Sequence, residues 1–256
     1  MWHNSCKYSN NSNLKNTYIM GTTSQASYAA RLARAEQFYQ FISTFQNFDP
    51  GMPELTPIGF QNLIVQLSST QSEHTVKHHD YAEAAKERKK VFTTNPDSIA
   101  KTLTRVNAYV RARKGKDSQQ YIDVNTLVKK IRGERPVTVT INASEETISR
   151  SEKSYGSQLQ NFTDVITLLQ RYNGDYAPTT EVGIPALQIL QRQATSINNS
   201  TNSSYGAFKP KINERQKGFR NLNETANRIK EMVKSQYGST SVEYNLIKGL
   251  NFSSNM

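Results

Sequence analysis

Two histidines one helical turn apart are the strongest candidate for metal chemistry in this chain. His74 and His78 have the i, i+4 spacing that presents two imidazoles to one ion, and Glu73 and Asp80 lie beside them in the sequence. Zn²⁺ requires three or four ligands, and outside this segment the chain has no histidine except His3. Because both histidines continue an apolar helical stripe, we interpret them as partly buried structural side chains. We predict no metal and no cofactor.

Other patterns that would carry catalysis are missing from the sequence. Cys6, the single cysteine, lies in a polar N-terminal segment that cannot hold a base beside it, and it has no partner for an intrachain disulfide. The chain has no Gly-X-Ser-X-Gly elbow, no Walker-type Gly-Lys-Ser/Thr loop and no Gly-X-Gly-X-X-Gly fingerprint. The sequence therefore predicts a protein that is not an enzyme, and a metal-dependent enzyme that uses His74 and His78 is retained only as a third hypothesis.

Positive charge is the most prominent polar feature, since the formal net charge is +11 at pH 7. The basic residues form three clusters, which are Lys86, Arg88, Lys89 and Lys90; Arg111, Arg113, Lys114 and Lys116; and Lys129, Lys130 and Arg132. If the helices that carry these clusters pack together, the clusters form a patch that can bind nucleic acid or another polyanion. The alternative is a solvated face, because acidic residues are interleaved and cations near helix C-termini also complement the macrodipole.

The elements that would position these side chains are helices, because apolar residues recur every three or four positions. The first stripe consists of Tyr28, Leu32, Ala35, Phe38, Ile42 and Phe45. The same spacing returns 127 residues later at Tyr155, Leu159, Phe162, Val165, Leu169 and Tyr172. This regularity predicts that the chain is a tandem duplication.

Later segments show the same correspondence. Phe60, Leu63 and Leu67 match Leu187, Leu190 and Ala194 at the offset of 127; Ile99, Leu103, Val106 and Val110 match Leu222, Ala226, Ile229 and Val233 at 123; and Leu127, Val128 and Ile131 match Leu246, Ile247 and Leu250 at 119. Thr56-Pro57 predicts the start of the second helix, and Gly115 and Gly238 predict the end of the third helix in each copy. Each four-residue change in offset is about one helical turn, so the buried face stays nearly in phase.

These observations predict an all-α protein, a tandem duplication of a three- to four-helix antiparallel bundle unit. The repeats span 24–132 and 151–252, joined by an extended linker at 133–150 that includes an alternating, strand-like segment at 135–142. Residues 1–23 are predicted to be a disordered tail and 253–256 a frayed one. No apolar run is long enough to span a bilayer, and we expect a soluble, cytoplasmic protein. The sequence leaves open whether the repeats fold separately or complete one another's core.

The opening and closing segments of the repeats carry a resemblance. SEKSY at 151–155, NTLVKKIRGERP at 125–136 and VKSQYGSTSVEYNLIKGLNF at 233–252 resemble uncharacterised duplicated helical proteins of Bacteroidota. The resemblance implies a bacterial origin and a duplicated helical fold, and it implies no activity. We therefore expect a non-catalytic helical scaffold or protein-interaction module with an unknown protein partner and an open oligomeric state. A basic bundle that binds nucleic acid or another polyanion is the alternative.

Overall fold

The computed structural model describes residues 23–133, 154–172, 174–178 and 181–252. Within these ranges all regular secondary structure is helical, which confirms the predicted all-α class. The α-helices are α1 (Thr23–Ile42), α2 (Pro57–Lys89), α3 (Ile99–Lys114), α4 (Gln119–Arg132), α5 (Tyr155–Arg171), α6 (Ile184–Tyr237) and α7 (Val242–Ile247). A 3₁₀ turn at Pro53–Leu55 precedes α2, and a π-helical turn at Lys90–Thr94 follows it. Apart from residues 23 and 133, the two predicted tails and the linker lie outside the described residues.

Local sequence signals place several helix ends where they are predicted. The Thr56 hydroxyl oxygen accepts the backbone N–H of Gly59 at 3.1 Å, and Pro57 is the first residue of α2. Gly115 and Gly238 follow α3 and α6 with φ of 87° and 96°, a backbone conformation that side chains with a Cβ rarely adopt. Both the predicted start and the two predicted glycine stops are thus confirmed.

The chain divides into two compact units. Of the described residues, the first unit contains those up to Ser68 and from Gln216 onward, and the second contains those between Ser69 and Arg215. Each unit has its own apolar core. The boundaries fall inside α2 and α6, so each predicted repeat contributes residues to both units. The repeat boundaries at 24–132 and 151–252 therefore stay a prediction about the sequence and are not the boundaries of the compact units.

In the first unit, the core is formed by α1, the start of α2, the end of α6 and the segment that follows it. Ala35, Phe38 and Ile42 are buried, as the first stripe predicts. The Phe38 ring lies 5.1 Å from the Phe60 ring and 5.4 Å from the Phe252 ring between centroids, the second contact being edge-to-face. Such aromatic pairs contribute about 0.5–1.5 kcal/mol beyond the area that they bury.

In the second unit, α5 packs against α4, and α4 in turn packs against α3. Phe162, Val165 and Leu169 of α5 are buried in one core with residues of α3, α4 and the first half of α6. The Tyr155 ring contacts the buried Phe92 ring at 4.9 Å in an edge-to-face arrangement. The predicted stripe of the second repeat therefore faces the core.

Matched positions of the two predicted repeats have matched burial in three of the four corresponding segments. Ala35, Phe38 and Ile42 are buried, as are their counterparts Phe162, Val165 and Leu169; the flanking members of each stripe are half-buried. Phe60 and Leu67 are buried around a half-buried Leu63, and Leu187 and Ala194 are buried around a half-buried Leu190. The four α3 positions and their four counterparts in α6 are all buried. In the fourth segment, Val128 and Ile247 are both buried, but Leu127 is half-buried where Leu246 is exposed, and Ile131 is buried where Leu250 is half-buried.

The sequence predicts separate second and third helices in each repeat. In the second repeat this is wrong, because both stripes lie on α6, a single helix of 54 residues. In the first repeat, the π-helical turn and the Asn95-Pro96 break separate α2 from α3, since proline disfavours a helical conformation at the residue before it. The matched part of α6 is four residues shorter and has no proline at this point. Pro210 lies inside α6, and the helix continues through it. The described helices include none with the length and apolarity that a bilayer span requires.

We predict that Gly59→Ala destabilises the protein, because a Cβ there would overlap the carbonyl oxygen of Pro53 and lie 2.9 Å from the Glu54 Cα. These are backbone atoms, so the 3₁₀ turn has to move, and we expect a loss of about 1–3 kcal/mol in the free energy of unfolding. Gly206→Ala is the matched control, because nothing lies within 4 Å of its added Cβ in α6. We expect it to gain about 0.5–1 kcal/mol from helix propensity. Urea denaturation at pH 7 measures both, and equal midpoints would contradict the prediction.

Candidate polyanion-binding site

The α3–α4 hairpin positions the candidate site. Gly115 ends α3 by donating its N–H to the carbonyl oxygen of Arg111 at 2.9 Å, and Ser118 begins α4 by accepting the N–H of Tyr121 at 3.2 Å. Buried valines at 106 and 110 of α3 and at 124 and 128 of α4 belong to one core. Their burial turns the remaining, polar sides of the two helices away from the core. The short connection makes the two helices antiparallel neighbours.

A hollow of about 480 Å³ lies on the polar side of this hairpin. Its lining consists of Thr104, Asn107, Ala108, Arg111, Ala112, Tyr121 and Arg132. Of the seven described residues that line it, two are arginines and none is acidic. A hollow lined in this way offers positive charge, which favours an anionic ligand.

Neighbouring side chains orient the two arginines. The Arg132 Nη2 donates to the Thr104 hydroxyl oxygen at 2.7 Å, which ties the end of α4 to α3. The Arg111 guanidinium carbon lies over the Tyr121 ring, 6.0 Å from its centroid. Between them, the Asn107 Nδ2 donates to the Asn125 Oδ1 at 3.1 Å. Each arginine is therefore held beside the hollow, and a guanidinium carries five N–H donors in a fixed fork.

The first predicted cluster contains cations that serve the fold. Arg88 donates to the Asn198 Oδ1 at 3.2 Å and to the Asn202 Oδ1 at 3.4 Å, and its guanidinium lies 4.1 Å from the centroid of the Tyr155 ring. These contacts connect α2 to α6 and α5. Lys90 forms an ion pair with Glu87 one turn earlier. Arg88 is therefore a packing residue in this structure.

The second cluster also contains a cation that is paired within the fold, beside one that lines the hollow. The Lys114 Nζ lies 2.7 Å from the Asp175 Oδ2, and its hydrogen bond and charge lower the pKa of the Asp175 carboxyl. Arg111, by contrast, lines the hollow. The other predicted cations are exposed at the surface of the second unit, and they are Lys86, Lys89, Arg113, Lys116, Lys129 and Lys130. The structure thus brings Arg111 and Arg132 to one hollow and places the remaining nine elsewhere.

Three lining residues were missed by charge counting. Thr104, Asn107 and Tyr121 are polar or aromatic residues outside the basic clusters. A signal for Tyr121 is present in the sequence, because Arg111 and Tyr121 lie at similar distances before and after the 115–118 connection. In an antiparallel helical hairpin, residues placed in this way are neighbours.

His74 and His78 occupy different environments. His74 is buried with 3% of its surface exposed, as the sequence indicated, whereas His78 is exposed, which corrects its prediction as partly buried. Their rings are nearly parallel at 6.3 Å, and both contact the Phe208 ring. The Arg215 Nη1 lies 3.1 Å from the His74 Nδ1; since arginine only donates, Nδ1 is the acceptor and Nε2 carries the proton.

The surroundings of His74 are cationic. Burial, with the charges of Arg215 and His78 as smaller contributions, lowers the pKa of His74 from 6.5 to about 4. Glu73, a candidate ligand beside it in the sequence, is paired with Lys211 at 2.8 Å. Among the described residues, no group of three His, Cys, Asp or Glu side chains is arranged to hold a metal ion. The contacts of His74 are those of a side chain in a packed helix interface.

We compared the chain with models of protein families, with curated proteins and with solved structures, and none of the three comparisons gave a match. The resemblance to Bacteroidota proteins therefore stays a prediction.

We predict that His74 makes folding stability depend on pH. The unfolded chain binds a proton at this position between about pH 6.5 and pH 4 and the folded chain does not, so stability falls as the pH falls through this window. We expect His74→Gln, which keeps an acceptor for Arg215, to reduce the stability lost between pH 7 and pH 4.5 by about 2 kcal/mol. Urea denaturation at both pH values measures this difference.

The matched control for His74→Gln is His79→Gln on the same helix. The His79 side chain is 73% exposed, and its Nδ1 lies 3.9 Å from the Glu83 carboxylate. The pH dependence of this control should follow that of the unmodified protein. A His74→Gln protein that loses as much stability on acidification as the control would contradict the assignment.

Proposed function

We propose that this protein is a non-catalytic helical binding module built from a duplicated unit, and that its α3–α4 surface binds a polyanion such as nucleic acid. The observation that carries the proposal is the convergence of Arg111 and Arg132 on a hollow whose described lining residues include no acid. Binding releases counterions from the polyanion, which favours association at low salt.

The duplicated unit is supported by the matched burial of the two repeats. The apolar stripe positions that correspond at constant offsets share the same degree of burial in α1 and α5, in the starts of α2 and α6, and in α3 and the end of α6. Each compact unit also combines the first helix of one repeat with the last helices of the other. Of the alternatives that the sequence leaves open, this favours repeats that complete one another's core.

The positions in the second predicted repeat that correspond to the hollow support a role of Arg111 and Arg132 in binding. At the offsets of 123 and 119, Arg111 corresponds to Lys234 and Arg132 to Asn251. Ala108 corresponds to Glu231, which forms an ion pair with Lys234 at 3.6 Å. The same helical framework can therefore carry an acidic residue and a paired lysine at this place. Two arginines without such an acid are not a requirement of the framework itself.

A protein partner is a second candidate function. Val242 is 71% exposed and Leu246 is 44% exposed, and their i, i+4 spacing places them on one side of α7. An apolar pair of this kind is a typical contact for another protein. If a partner binds there, Val242→Asp with Leu246→Asp should release it and leave polyanion binding unchanged.

We predict that Arg111→Glu combined with Arg132→Glu weakens binding of a fluorescein-labelled 20-nucleotide DNA at least tenfold at 50 mM NaCl. One or two phosphate contacts are lost, so the slope of log affinity against log salt should decrease by about 1 to 2. Fluorescence anisotropy across 50–200 mM NaCl measures both quantities. Far-ultraviolet circular dichroism checks that the helices remain.

The control is Lys217→Glu combined with Arg220→Glu, which makes the same change in net charge at exposed positions of α6. This pair should change the affinity by less than twofold. An equal loss in both double variants would show that only total charge matters. Absence of binding by the unmodified protein at 50 mM NaCl would overturn the proposed function.

A further inference from the structure

We propose that the α3–α4 hollow binds one nucleotide of a single strand, with the base between Tyr121 and Arg111 and a phosphate at Arg132. This inference rests on the proposed function and names its ligand class. The hollow's volume of about 480 Å³ lies within the roughly 300–1,000 Å³ of sites that bind drug-sized ligands, and a nucleotide is of that size. It also combines positive charge with an aromatic face, which are the two features of single-strand sites.

The spacing of Arg111 and Tyr121 suits a stacked base. The Arg88 guanidinium lies 4.1 Å from the Tyr155 ring centroid, which is close contact, whereas the Arg111 guanidinium lies 6.0 Å from the Tyr121 ring centroid. A base inserted between two planar groups requires about 7 Å, twice the ~3.4 Å rise between stacked bases. Arg111 is exposed, so a small movement of its side chain opens this gap. Arginine planes and aromatic rings are both surfaces on which bases stack.

Asn107 adds a hydrogen-bonding group to the wall. Its Nδ2 donates to Asn125, while its Oδ1 is buried and makes no hydrogen bond with the described residues. A buried acceptor without a donor is unfavourable by about 1–3 kcal/mol, which is a reason to expect a ligand donor there. The exocyclic amines of adenine, cytosine and guanine are such donors. Thymine and uracil have no exocyclic amine, so the hollow should prefer amine-bearing bases.

The wall places the groups proposed for the base and for the phosphate at opposite ends of the hollow. Tyr121 lies near the connection end of the hairpin with Arg111, whereas Arg132 at the end of α4 donates to Thr104 near the start of α3. Asn107 lies between them along α3. A base at one end and a phosphate at the other match this order. A duplex keeps its bases stacked inside, so it cannot place one in the hollow without unpairing it.

The test uses the full chain and three labelled probes at 50 mM NaCl, which are a 12-nucleotide oligo-deoxyadenylate, an abasic strand of equal length and charge, and oligo-deoxythymidylate. Anisotropy titrations should show the adenylate binding on the order of tenfold more tightly than the abasic strand, with the thymidylate between them. Tyr121→Leu and Arg111→Lys should each bring the ratio of adenylate to abasic affinity close to one. Arg111→Lys keeps the charge at an exposed position, so it tests the planar group even if the half-buried Tyr121 tolerates substitution poorly. Lys217→Glu should leave the ratio at its unmodified value.

Equal affinity for adenylate and abasic strands would overturn the nucleotide inference, and the proposed polyanion function would stand if the Arg111 and Arg132 charge reversals still weakened both probes. No binding of any probe would overturn both. Adenosine monophosphate serves as the competitor that separates a free nucleotide from a strand. Displacement of the adenylate by micromolar mononucleotide would show that the hollow binds free nucleotides, and it would overturn the inference that the ligand is a single strand. Displacement that occurs only at millimolar mononucleotide would support a single strand as the ligand.

Discussion

The burial of four valines between α3 and α4 is the constraint on which the candidate site depends. Val106 and Val110 of α3 and Val124 and Val128 of α4 share one core and are almost completely inaccessible. Each buried valine contributes roughly 1.5–2 kcal/mol, whereas an exposed ion pair contributes about 0–1 kcal/mol. The apolar contact therefore fixes how the two helices meet. The hollow on their polar side is lined by two arginines and, among the residues that the structure describes, by no acidic side chain.

The periodicity of apolar residues was sufficient to predict the helices and their buried faces. A residue buried at every third or fourth position leaves a pattern that does not depend on the rest of the chain, so Phe38 and Phe162 could be assigned to the core from sequence alone. Helix ends were predictable where one residue type has a conformational reason to be there, as at Gly115 and Gly238. The continuity of α6 was not predicted. It follows from the absence of the four extra residues and the proline that separate α2 from α3, and no residue pattern in α6 itself indicates that the helix continues.

The candidate site was only partly predictable because charge clusters do not report three-dimensional partners. Arg88 and Arg111 look alike in the sequence, but Arg88 contacts Asn198 and Asn202, more than 100 residues away, while Arg111 lines the hollow. The same limit applies to His74. Its place on the apolar stripe indicated burial, but its partner Arg215 is 141 residues away and no local pattern connects the two.

The two predicted repeats share buried aliphatic residues at core positions and differ at an exposed position beside them. Core positions such as Val110 and Val233 are both buried aliphatic side chains, whereas the neighbouring surface positions Ala108 and Glu231 differ in charge. Under the proposed duplication, each copy must keep its buried face to fold and can change its exposed face freely. The described wall of the hollow contains two arginines and no acid, whereas the matched place in the second predicted repeat has a lysine–glutamate pair, and this difference is consistent with our proposal that the α3–α4 surface binds a polyanion.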